Sequence, residues 1–165
     1  ISLMYLSLKF LVDLGRGIVI KRSERFVNRY LFGAAPVAML FGVIMTILVQ
    51  SSSITTSIII PLVGAGVLTL EKVFPFTLGA NIGTTVTAML AALTGNIAAV
   101  TVAFAHLSFN ITGIALIYPI RFIRRIPMAL ARSLAEVTSR SRLYAFVYLG
   151  LVFYLAPFAL IYLWR

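Results

Sequence analysis

Between residues 31 and 164 the chain is a series of apolar runs, separated by short polar stretches. A helix needs ~20 apolar residues to cross a hydrocarbon core ~30 Å thick. Backbone amides and carbonyls in lipid must be satisfied internally, which leaves only helices and closed barrels. A barrel would show alternating segments of ~10 residues, and none occurs. Hydrophobic residues make up 61% of the sequence, against about 45–50% in soluble domains. The chain reads as an all-α integral membrane protein.

Along the chain, residues 1–14 read as a span and 15–30 as a basic cytoplasmic connection. Residues 31–70 read as a re-entrant helical hairpin and 73–94 as a broken helix. A span at 97–118, a second basic connection at 119–142 and a last span at 143–164 complete the order. Charge placement supports this layout. The net charge is +10 over 165 residues. Arg16, Lys21, Arg22, Arg25 and Arg29 cluster in one connection; Arg121, Arg124, Arg125, Arg132, Arg140 and Arg142 cluster in the other. Basic residues flanking apolar spans mark cytoplasmic loops, so the charge needs no nucleic-acid partner. The expected location is the plasma membrane (the inner membrane of a bacterium), with several crossings and both basic loops in the cytoplasm. The chain opens on Ile1 inside an apolar run, which suggests part of a longer polypeptide.

With both basic loops on one side, residues 31–118 must cross an even number of times. Segments 31–49 and 58–70 could be two full spans, or a hairpin that dips in and returns. The polar run between them, "QSSSITTS", favours the hairpin. A turn in water needs no special chemistry, whereas irregular backbone at membrane depth is tolerated only when buried in protein or lining a cavity. Gln50, Ser51, Ser52, Ser53, Thr55, Thr56 and Ser57 supply uncharged donors and acceptors. Hydroxyls compete for backbone groups and let a helix open. The N-terminus of the following half-helix then attracts an anion, and freed carbonyls suit Na⁺.

The stretch "LGANIGTTVT", residues 78–87, invites the same reading. Gly79 and Gly83 permit a break, while Asn81, Thr84, Thr85 and Thr87 offer oxygens. Broken helices meeting near the midplane build many secondary-transporter sites. The competing reading is packing: small residues at GxxxG spacing let helices approach closely. His106 with Asn110 one turn later reads as a satisfied core hydrogen bond, because no acid lies in that span.

Enzyme chemistry finds little support. There are four acidic residues, one histidine and no cysteine, so thiolate metal sites and disulfides are excluded. Walker, Gly-x-Ser-x-Gly and His-Glu-x-x-His patterns are missing. No cofactor is expected, and transport would run on an ion gradient or on another chain.

The block "VQSSSITTSIIIPLVGAGVLTLEKVFPFTLGANIGTTVTAMLAAL", residues 49–93, strongly resembles the type II sodium–phosphate cotransporters, and the likeness continues through "FNITGIALIYPIRFIRRIPMALA". That family carries Gln-Ser-Ser-Ser once in each of two inverted repeats. The resemblance implies Na⁺-driven symport of inorganic phosphate, with Na⁺ as the coupling ion. It implies phosphate contacts at Gln50, Ser51, Ser52, Ser53, Asn81, Thr84 and Thr85, and sodium contacts at Ser53, Thr55, Thr56, Gly83 and Thr84. Only one Gln-Ser-Ser-Ser is present here, with spacing like the C-terminal repeat. The chain therefore reads as one inverted-repeat half of a secondary transporter. Its expected partner is the other repeat, in the same polypeptide or in a second copy. Two alternatives stand: a sodium-coupled carrier of another small anion, and a membrane scaffold or channel subunit that does not transport.

Overall fold

The structure is a computed structural model that describes residues 27–164. The predicted span at 1–14, and the basic connection up to residue 26, lie outside the described residues. A π-helical turn at Val27–Leu31 leads into α1 (Ala35–Val49), α2 (Ser52–Gly64), α3 (Leu70–Ala92) and α4 (Ile97–Ile117). Then come α5 (Arg121–Arg140), α6 (Arg142–Leu149), a π-helical stretch at Gly150–Leu155 and α7 (Ala156–Leu163). No strand occurs among the described residues. The chain divides at Pro119/Ile120 into two units.

Local chemistry sets the helix ends. Pro36 falls in the first turn of α1, where its missing N–H costs nothing. Asn96 caps α4 by accepting from the Ala99 amide at 2.9 Å. Among the described residues, three helices are long and apolar enough to cross a membrane: Leu70–Ala92, Ile97–Ile117 and Leu143–Leu163. By contrast α1 and α2 are short apolar helices, about 22 and 20 Å long at ~1.5 Å per residue. Neither reaches across ~30 Å of hydrocarbon.

In the first unit α1 packs chiefly on α3. The two run parallel, since Met39 meets Gly79 while Val43 and Thr46 meet Gly83. The buried residues of α1 are Ala38, Gly42 and Thr46, a small residue at every fourth position. A Cβ on Gly42 would lie 2.2 Å from the Phe76 carbonyl oxygen, and one on Gly79 only 1.9 Å from that of Met39. The helices therefore touch backbone to backbone. In lipid this contact gains dispersion and shape fit rather than hydrophobic transfer.

This seam corrects one expectation. Residues 78–87 are not a helix break: α3 is continuous from Leu70 to Ala92. Its hydroxyls bond to the helix's own carbonyls instead of opening it. Thr84 donates to the Ala80 oxygen at 3.1 Å, Thr85 to Ile82 at 2.7 Å and Thr87 to Thr84 at 2.8 Å. Gly79 and Gly83 serve the close approach of α1, so the packing reading holds for them.

The end of the hairpin away from residue 50 is fastened. Phe32, Phe41 and Phe76 form an aromatic cluster with centroids 5.5–6.0 Å apart. Leu68, Ile59 and Leu62 are buried alongside it. The Asn28 side chain donates to the Val67 carbonyl at 3.0 Å and accepts from the Lys72 ammonium. One side chain thus ties the start of the hairpin to the loop that leaves it.

In the second unit Ser141 is extended, and its hydroxyl accepts from the Leu143 amide at 3.2 Å. This ends α5 and starts the last span. Ahead of Pro157 the span widens into the π-helical stretch, and the Ala156 amide reaches back to the Leu151 carbonyl. A proline ring in a regular helix collides with the carbonyl four residues back, and a wider turn removes that collision.

Candidate functional site

Only two residues, Gln50 and Ser51, connect α1 to α2. Gln50 ends α1 in the left-handed region (φ 56°, ψ 23°), and its amide donates to the Thr46 carbonyl at 2.7 Å. It is the one non-glycine residue with positive φ among the described residues. Glycine or asparagine normally takes this place, and a glutamine there costs about 1–3 kcal/mol. Such strain persists where the surrounding structure over-determines the backbone, and the Gln50 side chain is exposed at the tip.

Ser51 reverses the chain. Its backbone is extended (φ −152°), and its hydroxyl caps α2 by accepting from the Ile54 amide at 3.3 Å. Ser52 and Ser53 are the first two residues of α2. Amides at those positions have no partner within a helix, and they lie at the positive end of the dipole. The tip therefore carries serine hydroxyls and the unpaired backbone N–H groups of a helix start, with no basic side chain among residues 50–57.

Thr55 and Thr56 follow within α2. Thr55 is buried and donates to the Ser51 carbonyl at 2.9 Å. Thr56 donates to the Ser52 and Ser53 carbonyls at 2.8 and 3.2 Å. Both hydroxyl protons are spent on backbone, which leaves oxygen lone pairs as what they can present. Ser57 is half-buried further along.

Because α1 and α3 are parallel and Thr46 sits on Gly83, the tip one turn beyond Thr46 lies level with Thr84–Thr87. Thr84 is half-buried and Asn81 exposed. Thr85, by contrast, is completely buried, and Gly83 is covered by Thr46. Gly83 is a seam residue; Thr85, about 200° further around α3, is buried on the side away from α1. The free carbonyl expected at Gly83 needed a broken helix, and α3 is unbroken there.

Thr46 was not singled out by sequence reasoning. It has no exposed surface, and its hydroxyl has no hydrogen-bond partner among the described residues. The available signal was a lone hydroxyl in the run "FGVIMTILV", one helical turn before Gln50. His106, expected inside a core, is exposed on α4 within this chain.

A parallel helix pair with a short hairpin, joined to helices of membrane-crossing length, defines a helical membrane protein with a polar tip. The sequence profile of the Na⁺/Pi-cotransporter family matches residues 3–155, and the chain belongs to that family. It is 48% identical over 124 residues to the human sodium-dependent phosphate transport protein 2B, covering 73% of this chain and 18% of that protein. It is 40% identical over 163 residues to the sheep sodium-dependent phosphate transport protein 2A, covering 93% of this chain and 25% of that protein. The chain thus spans no more than about a quarter of the length of these relatives. No solved structure matches it.

Proposed function

We propose that this chain forms one half of a Na⁺-coupled symporter of inorganic phosphate, with the α1–α2 hairpin re-entering the membrane from one side. The tip carries the proposal: the start of α2 presents Ser52 and Ser53 amides, serine hydroxyls and a strained Gln50. Similarity to proteins named as sodium-dependent phosphate transporters supports phosphate as the anion. The short lengths of α1 and α2 support re-entry. With the hairpin returning to its own side, α3 and α4 supply the even number of crossings that two cytoplasmic basic loops require.

Gln50, Ser51, Ser52 and Ser53 hold phosphate, with Thr84 the nearest of the expected α3 residues; Asn81 lies lower on α3, on the face turned away from α1. Oxygens of Ser53, Thr55, Thr56 and Thr84 take Na⁺, a hard cation. Gly83 acts at one remove, by holding α3 against α1 below the tip. Each bound ion lowers the cost of dehydrating the other, because opposite charges attract strongly at low effective dielectric. The second Gln-Ser-Ser-Ser repeat, in the same polypeptide or a second copy, completes the site. Any net charge carried inward gains ~2.3 kcal/mol per ~100 mV.

Uptake of radiolabelled phosphate into proteoliposomes holding the full-length protein tests this. Uptake should require external Na⁺ and stop when choline replaces it. Uptake indifferent to that replacement would rule out sodium coupling. Competition by sulfate or a small carboxylate as strong as that by phosphate would rule out phosphate as the preferred anion.

A further inference from the structure

We propose that α5 is an interfacial helix: it lies in the headgroup layer and docks on the anionic face of the bilayer. The inference does not depend on which anion the protein carries.

The helix divides sharply in two. At about 100° per residue, Ile123, Ile126, Leu130, Leu134 and Val137 fall on one arc, with Phe122 at its edge. Arg121, Arg124, Arg125 and Arg132 fall on the opposite arc. Five arginines stand against a single acid, Glu136. The apolar arc is not covered within its own unit: Phe122 is 77% exposed and Leu130 66%. High amphipathicity, a basic polar face and low net hydrophobicity distinguish a helix lying in the interface from one crossing it.

Two further observations identify the bilayer as what covers the apolar arc. First, α5 joins two helices of membrane-crossing length through very short links. Ile117 ends one span, Arg121 begins α5, Arg140 ends it and Leu143 begins the next span. Chain continuity holds both ends of a helix about 30 Å long at the membrane surface, and its charge forbids it to cross. Second, the apolar arc and the last span lie on the same side of α5. An open groove of about 740 Å³ runs between them, lined by Leu130, Leu134 and Val137 and by Tyr144, Val147 and Leu151. With the span set in the bilayer, that corner is lipid, and acyl chains fill it. The arginines then lie at headgroup level, where anionic lipids attract basic side chains and their methylene stems cover apolar surface.

A spin label is placed on either arc through Leu130→Cys or Ala135→Cys; this chain has no cysteine of its own, and any cysteine elsewhere in the full-length protein is first replaced by serine. The full-length protein is reconstituted in vesicles of phosphatidylcholine, with or without phosphatidylserine. At position 130, collisions with lipid-soluble oxygen should exceed those with a water-soluble nickel chelate; at position 135 the order should reverse. Phosphatidylserine should slow the motion of the label at 130. High salt, or the pair Arg121→Gln and Arg125→Gln, should abolish that slowing while leaving the label immersed. A label at 130 shielded from both reagents would mean that protein covers the arc, and would overturn the proposal. Equal accessibility at the two positions would overturn it too, as would indifference to phosphatidylserine.

Discussion

Thr46 rests directly on Gly83: a Cβ built on that glycine would lie 2.7 Å from the threonine Cβ and 2.8 Å from the Val43 carbonyl oxygen. The contact locks α1 to α3 one turn below Gln50. It thereby fixes the height of the serine tip against the Thr84–Thr87 segment.

The seam should tolerate no extra carbon. Gly79→Ala drives a methyl into the Met39 carbonyl at 1.9 Å, and overpacking of this kind costs about 1–3 kcal/mol. Its melting temperature in detergent should fall clearly. Gly113→Ala meets nothing within 4 Å in this chain and gains up to ~1 kcal/mol of helix propensity. Equal melting temperatures for the two variants would contradict a backbone-to-backbone seam.

Gln50→Gly should separate stability from transport. Glycine adopts φ 56° without penalty, so the variant should be more stable by ~1 kcal/mol. It also removes the exposed amide, and Na⁺-dependent phosphate uptake should drop. A variant with unchanged uptake would show that the Gln50 side chain does not handle the substrate.

Ser51 has a capping role and a proposed binding role, and two variants distinguish them. Ser51→Ala removes the cap and should cost ~0.5–2 kcal/mol. Ser51→Asp keeps a capping oxygen but sets a negative charge beside the anion. Its melting temperature should stay near that of the wild type while the KM for phosphate rises steeply. Wild-type kinetics for Ser51→Asp would place the anion elsewhere.

A buried hydroxyl without a partner costs about 1–3 kcal/mol. Thr46→Val keeps the shape against Gly83 and removes that hydroxyl, so thermal stability should rise. Thr46→Ala opens a void in the same place and should lower it. If valine proved as damaging as alanine, the hydroxyl would have a partner in the assembled protein.

Much of this was legible in the residues. Run length and polarity marked a helix long and apolar enough to cross near residues 97–118 and a polar turn between two apolar helices at Gln50. The misreading of Gly79 and Gly83 has a definite cause. Glycine with threonine can open a helix or admit a neighbouring one, and only the partner helix decides. Here the deciding residues, Met39, Gly42 and Thr46, lie about forty positions earlier, beyond the reach of any local pattern. The strain at Gln50 was hidden for a related reason, since its φ follows from a two-residue turn and not from its side chain.

The clasp at Asn28 has a consequence for how the protein moves. One side chain holds both Lys72 and Val67, and α1 is keyed into α3. Swinging the hairpin away from α3 would break both hydrogen bonds at its root and open the backbone seam along its length, so the two behave as one mechanical piece.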